Sequence, residues 1–177
     1  VGPCEAAFSA APRGFAPYAE RVDAPFDEAA CLDALEHGTP HRFGELRDAE
    51  LSAGASVYTV WESRRLLFVG RTEPDTDGRK RPDSLERRLT YHAYGMRSRD
   101  IFSVHLCDRF IVPTLTEAQR RRLADGDSHL LDALTAAYVR NLCEYRFVAV
   151  PDGRSLQVHE RVQVGALGAG KPLLNGR

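Results

Sequence analysis

Two periodicities run along this chain, and the points where one replaces the other mark its elements. Residues 1–24 follow neither: they are rich in Ala, Pro and Gly and predict an irregular arm. Pro25 opens a helix over 26–37, in which Phe26, Ala29, Ala30, Leu32 and Leu35 form an apolar side and Gly38 suits the stop. A second, short helix is expected at 46–52. Between Ser56 and Val69 the residues become strong strand formers, with Val57, Tyr58, Val60 and Trp61 on one arm and Leu67, Phe68 and Val69 on the other. Glu62–Arg65 lies between the arms as a turn, so the stretch predicts a β-hairpin. Gly70 ends the second arm. The polar loop Glu73–Arg81 carries Pro74 and Gly78 and is followed by Pro82, which excludes regular structure there.

Beyond the loop, Ser84 is placed to cap a helix whose Leu85, Leu89, His92 and Ala93 share a face and which ends near Gly95. Ile101–Val112 alternates, with Phe102, Val104, Leu106, Phe110 and Val112 on one side, and predicts a strand stopped by Pro113. Thr116 caps a helix that carries Arg120, Arg121 and Arg122, and Ser128 caps another that runs to Leu142. Tyr145–Val150 reads as a further strand. Asp152-Gly153 turns the chain into a last helix over 155–167, which runs into the glycines 165, 168 and 170. The sum is an α+β fold: a small antiparallel sheet with a hairpin, flanked by helices. Residues 1–50 are expected to form an N-terminal arm and helical appendage. Residues 51–177 form the principal domain, with a helical insertion at about 114–142.

Composition agrees with one soluble globular unit: 177 residues, 43% hydrophobic and 28% charged. A formal net charge of −1 provides no overall attraction for a polyanion, so any nucleic-acid binding must use a local basic patch. Arginines and Lys80 do gather between Arg64 and Arg99, interleaved with carboxylates such as Glu73, Asp75 and Glu86. The four cysteines, Cys4, Cys31, Cys107 and Cys143, include no C-x-x-C pair and have no histidine at zinc-finger spacing. Scattered cysteines predict reduced thiols and a cytoplasmic setting. The first residues do not resemble a signal peptide, and no apolar run reaches the length of a membrane span. The late glycines do not form a phosphate loop, because they follow a helix and Lys171 precedes Pro172 instead of Ser or Thr.

Hydrolysis of a phosphodiester requires a base for the attacking water, positive charge for the phosphate and stabilisation of the leaving oxygen. A phenol, a guanidinium and a carboxylate-bound metal ion are a sufficient kit. The order of Ser56-Val57-Tyr58, Phe68-Val69-Gly70-Arg71, Leu85/Arg88/Leu89/His92, Glu160 and Lys171-Pro172-Leu173-Leu174-Asn175 resembles the GIY-YIG nuclease superfamily over residues 56–177. That resemblance implies a metal-dependent endonuclease acting on nucleic acid, with double-stranded DNA the expected form. It makes Tyr58 the general base, with Arg71 lowering its pKa. It makes Arg88 the neutraliser of the transition-state phosphate and His92 a companion that orients water or contacts phosphate. Glu160 is implied as the ligand of one Mg²⁺ or Mn²⁺, and Asn175 as a brace of the site with Phe68 and Gly70. Arg79, Lys80, Arg81 and Lys171 are expected to hold the nucleic-acid backbone. Two departures stand out: Ser56 replaces the usual Gly, and Phe68 replaces a Tyr, removing a hydroxyl. The second departure supports an alternative, a binding or regulatory module on the same fold with weakened catalysis. Each residue alone also has an ordinary role: Tyr58 a half-buried hairpin aromatic, His92 a packed core histidine, Arg88 and Glu160 exposed helix charges.

Overall fold

The computed structural model describes residues 26–48, 51, 54–73 and 84–175. It is an α+β fold built on a four-stranded antiparallel sheet: β1 (His41–Arg42), β2 (Ser56–Glu62), β3 (Arg65–Thr72) and β4 (Cys143–Ala149), in the order β1-β4-β2-β3. β2 and β3 form the expected hairpin, in which Tyr58 lies opposite Gly70 and Thr59 opposite Val69. Val60 faces Phe68 while Trp61 faces Leu66, so Leu67 is the extra residue of a β-bulge. The bulge turns Leu67 and Phe68 toward the same core, although they are neighbours in sequence.

Six helices pack around the sheet: α1 (Glu28–His37), α2 (Leu85–Ala93), α3 (Ile101–Leu106), α4 (Glu117–Ala124), α5 (Leu130–Leu142) and α6 (Ser155–Gln163). Tyr58, Val60, Leu67 and Phe68 face one core with Leu85, Leu89, Phe102, Leu106 and Val139 from α2, α3 and α5. Val57, Trp61, Leu66 and Val69 face the other, closed by Cys31 and Leu35 of α1 and Val158 and Val162 of α6. Each fully buried aliphatic or aromatic side chain here contributes about 1.5–3 kcal/mol. α4 has no buried residue; its arginines pair with carboxylates on its own surface, Arg121 with Glu117 and Arg122 with Asp127. Among the described residues no helix is long and apolar enough to cross a membrane, and Cys31, Cys107 and Cys143 are free, buried thiols.

Several expectations are corrected. The stretch 101–112 is helical: α3 continues through a π-helical turn, Cys107–Ile111, into a short 3₁₀ turn, Val112–Thr114. Its buried residues, Phe102, Ser103, Leu106, Cys107 and Ile111, follow the helical period, while Val112, counted on the strand face, is exposed. Asp100 starts the helix by accepting hydrogen bonds from the backbone N–H groups of Phe102 and Ser103. The short helix expected at 46–52 is instead a kinked 3₁₀ segment, Phe43–Asp48. α6 ends at Gln163, before the first glycine. α1 and β1, expected in an appendage, are part of the main fold. β1 pairs with β4, and Leu35 is fully buried in the second core. The Thr59 hydroxyl donates to the Leu35 carbonyl at 2.9 Å, joining α1 to the central strand.

β3 is an outer strand, and its free edge is covered by the C-terminal segment. Leu173 N–H donates to the Leu66 carbonyl and Leu174 N–H to the Leu67 carbonyl. The Asn175 side chain completes the row: Val69 N–H donates to Asn175 Oδ1, and Asn175 Nδ2 donates to the Val69 carbonyl, both at 2.7 Å. One carboxamide thus pairs with both backbone groups of a strand residue, as a neighbouring strand would.

Candidate active site

Tyr58 projects from β2 across Gly70 of β3. A Cβ at position 70 would lie 2.3 Å from the Tyr58 Cζ and hydroxyl oxygen, so the bare glycine backbone is what admits the phenol ring. Phe68 and His92 pack against that ring, Phe68 edge-on to His92, and Phe102 packs on both, 5.3 Å from Phe68 and 4.7 Å from His92 between ring centres. Tyr58 is almost wholly buried, but it forms part of the wall of a cleft of about 300 Å³.

Behind the phenol lies a buried polar chain. The Tyr58 hydroxyl is 2.9 Å from His92 Nε2, and His92 Nδ1 is 2.6 Å from Asp100 Oδ2. His92 is only 1% exposed and Asp100 5%, so neither meets solvent. Burial raises the Asp100 pKa, but the hydrogen bonds of His92 and Ser103 outweigh it and hold the carboxyl below its ordinary value. An ionised Asp100 accepts from His92 Nδ1–H, which leaves Nε2 with its lone pair directed at Tyr58. The phenol then donates its proton to His92. His92 thus lies between the phenol and the carboxylate, one ring nitrogen turned to each. Asp100 was missed in the sequence because it sat at the edge of a stretch read as a strand. Its signal was there as a helix N-cap eight residues after His92.

Arg71 of β3 and Arg88 of α2 line the same cleft. Arg71 Nη1 donates to Glu73 Oε1 at 2.9 Å and to Ser155 Oγ at 3.2 Å, and the Ser155 hydroxyl donates to Glu73. Phe68, Gly70 and Asn175 also reach the cleft, as do three polar residues not singled out in the sequence: His105 of α3 and His159 and Gln163 of α6. Lys171 is exposed and does not line the cleft. Arg79, Lys80 and Arg81 lie outside the described residues.

Glu160 is not brought together with the other residues of the site. It is exposed and is not among the lining residues; its neighbour His159 is. The cause is the phase of α6. Ser155, Val158 and Val162 are buried and define the inward face. At about 100° per residue, 159 and 163 fall on the flank of that face and 160 points away from it. Burial and the charge of Arg71 push the His159 pKa down, against the Val69 carbonyl and Glu160, which pull it up.

This lining does not fit the Mg²⁺ or Mn²⁺ that the resemblance implies. Hard divalent ions take oxygen ligands and carboxylates above all, and no carboxylate is among the described residues that line the cleft. Nor, among the described residues, do three or more His, Cys, Asp or Glu side chains stand together as a metal site. What the cleft does offer is a phenol backed by an imidazole–carboxylate pair, two guanidiniums and two imidazoles. No protein-family model, no curated protein and no solved structure matches this chain.

Proposed function

We propose that this protein is a phosphodiesterase acting on nucleic acid, double-stranded DNA in the first place, with the Tyr58 cleft as its active site. The observation that carries the reading is the Tyr58–His92–Asp100 chain opening onto a cleft that Arg71 and Arg88 also line. Attacking water gives its proton to the Tyr58 oxygen as the phenol proton passes to His92 Nε2, and ionised Asp100 stabilises the imidazolium that forms. Arg71 and Arg88 neutralise the phosphate as negative charge builds on its oxygens. Glu73 holds Arg71 in the free protein; a phosphate oxygen takes over one face of the guanidinium, whose five donors allow both contacts.

The test is cleavage of supercoiled plasmid and linear duplex by Tyr58→Phe, which deletes one oxygen and keeps the ring. Loss of the proton path is expected to slow cleavage by about 10²–10⁴-fold. An unchanged rate would remove Tyr58 from the chemistry. A second reading, a nucleic-acid-binding module without catalysis, is supported by Phe68, which presents no hydroxyl to the cleft. It predicts duplex binding that Tyr58→Phe leaves intact, with no cleavage by either protein.

A further inference from the structure

Three features of the cleft point in one direction. Its cations are protein side chains, Arg71 and Arg88. The helix face expected to supply a carboxylate supplies an imidazole, His159. Glu73, the carboxylate that meets Arg71, is committed to Arg71 and Ser155. A metal ion in a phosphodiesterase neutralises the phosphate and stabilises the leaving oxygen. Guanidiniums perform the first task, and an imidazolium performs the second by proton transfer.

We propose that the cleft cleaves its phosphodiester without a divalent ion, with His159 as the group that protonates the leaving oxygen. The inference rests on the phosphodiesterase reading above. The water oxygen forms a bond to phosphorus, and the bond from phosphorus to the sugar oxygen breaks. The water proton goes to Tyr58 and the phenol proton to His92, while the departing oxygen takes a proton from the His159 imidazolium. After product leaves, the Tyr58 oxygen, which faces the cleft, gives a proton to solvent and takes back the one held by His92, and solvent returns a proton to His159, so no other reactant is consumed. His159 and Arg71 line the same cleft, which places both within reach of one phosphate seated there. In the free protein, burial and that guanidinium favour neutral His159; an anion seated in the cleft favours the imidazolium.

The experiment uses full-length protein stripped of metal and assayed in EDTA. One substrate is duplex DNA; the other is a p-nitrophenyl phosphodiester, whose leaving oxygen departs without a proton. Wild type is expected to cleave both in EDTA, with added Mg²⁺ changing the rates less than about threefold. His159→Gln is expected to slow DNA cleavage by about 10²–10⁴-fold, the usual range for a lost acid, and the p-nitrophenyl ester by less than about tenfold. His159→Glu, which points a carboxylate into the cleft, is expected to lose cleavage in EDTA and to gain a response to Mg²⁺. Thermal unfolding of each variant checks that it is folded. Wild-type cleavage that needs added Mg²⁺, Mn²⁺ or Zn²⁺ overturns the inference and leaves the phosphodiesterase reading standing. Equal slowing of His159→Gln on both substrates overturns the role of His159. Cleavage in no condition overturns both readings together.

Discussion

At the scale of single residues, the site depends on one absent side chain and one buried carboxylate. Gly70 leaves the space that the Tyr58 phenol fills. Gly70→Ala places a methyl group against a ring packed on Phe68 and His92, so the phenol must move away from His92. The expected cost is about 1–3 kcal/mol of stability, typical of an overpacked core. A fall in cleavage comparable to that of Tyr58→Phe should accompany it; a variant with wild-type melting temperature and activity would show that the ring is not pinned there. Asp100 makes a different prediction. Its pKa is lower folded than unfolded, so it stabilises the fold above the unfolded value. That contribution is lost as pH falls through the folded value, a window below 3.8. Asp100→Asn has no charge to lose. Wild type is therefore expected to melt well above the variant at neutral pH, with the gap closing as pH drops below that window. A gap independent of pH would show that the Asp100 charge does not stabilise the fold.

At the scale of elements, the cleft is held together by contacts far apart in sequence. β3 carries Arg71 and Gly70, and its outer edge is sealed by the C-terminal segment through Leu66, Leu67 and Val69. α1 steadies the approach to that segment: the Glu36 carboxylate accepts from Gly168 and Ala169 N–H. Asn175→Ala removes both bonds to Val69 at a part-buried edge, and an unsatisfied backbone group costs about 1–3 kcal/mol. Denaturant unfolding should register a loss of that order. Because Val69 lies directly before Gly70 and Arg71, cleavage should fall as well. Asn175→Asp is the informative comparison: its carboxylate still accepts from Val69 N–H but faces the Val69 carbonyl with no donor, so it should lose at least as much stability as the alanine variant. Full stability in both would mean that the edge is closed without this side chain. α2 meets α5 with similarly little clearance. Gly95 has φ +60°, and a Cβ there would lie 2.5 Å from the Asp132 carbonyl oxygen, which fixes how α2 and its Arg88 lie against α5.

For the whole molecule, the net charge of −1 means that a nucleic acid bound as proposed must be held by a local field. Binding should therefore weaken as salt rises, with a slope of about −0.9 in log affinity per phosphate contacted on duplex DNA. Charge reversal of Arg79, Lys80 and Arg81 is expected to flatten that slope and to weaken binding equally on every sequence, since phosphate contacts carry no base information. Reversal of Arg120, Arg121 and Arg122 is the control. These side chains lie on α4, are not among the residues that line the cleft, and are paired with Glu117 and Asp127, so their loss should change little. Titrations at several salt concentrations decide the matter. A salt-independent affinity, or a defect confined to one sequence, would show that the loop reads bases or does not touch nucleic acid.

Local patterning by itself determined the α+β class, the hairpin, the Ser84-capped helix and the last helix. These elements follow from strand propensity, caps and turn residues, which act over a few positions. Tyr58, Arg71, Arg88 and Asn175, all of which reach the cleft, came from the resemblance of the ordered motifs and not from periodicity. Local patterning failed where two periods fitted the same letters. Residues 101–112 satisfy alternation and also the helical spacing of Phe102, Leu106, Cys107 and Ile111, and only packing against β3 and α5 selects the helix. With it came Asp100 and His105, neither visible as functional while that stretch read as a strand. The choice between His159 and Glu160 was likewise tertiary. Both lie on one helix, one residue apart, and which of them faces the cleft depends on how Ser155, Val158 and Val162 seat α6 against the sheet. A rotation of about 100° is small in sequence. At the site it separates a cleft lined by a carboxylate from one lined by an imidazole.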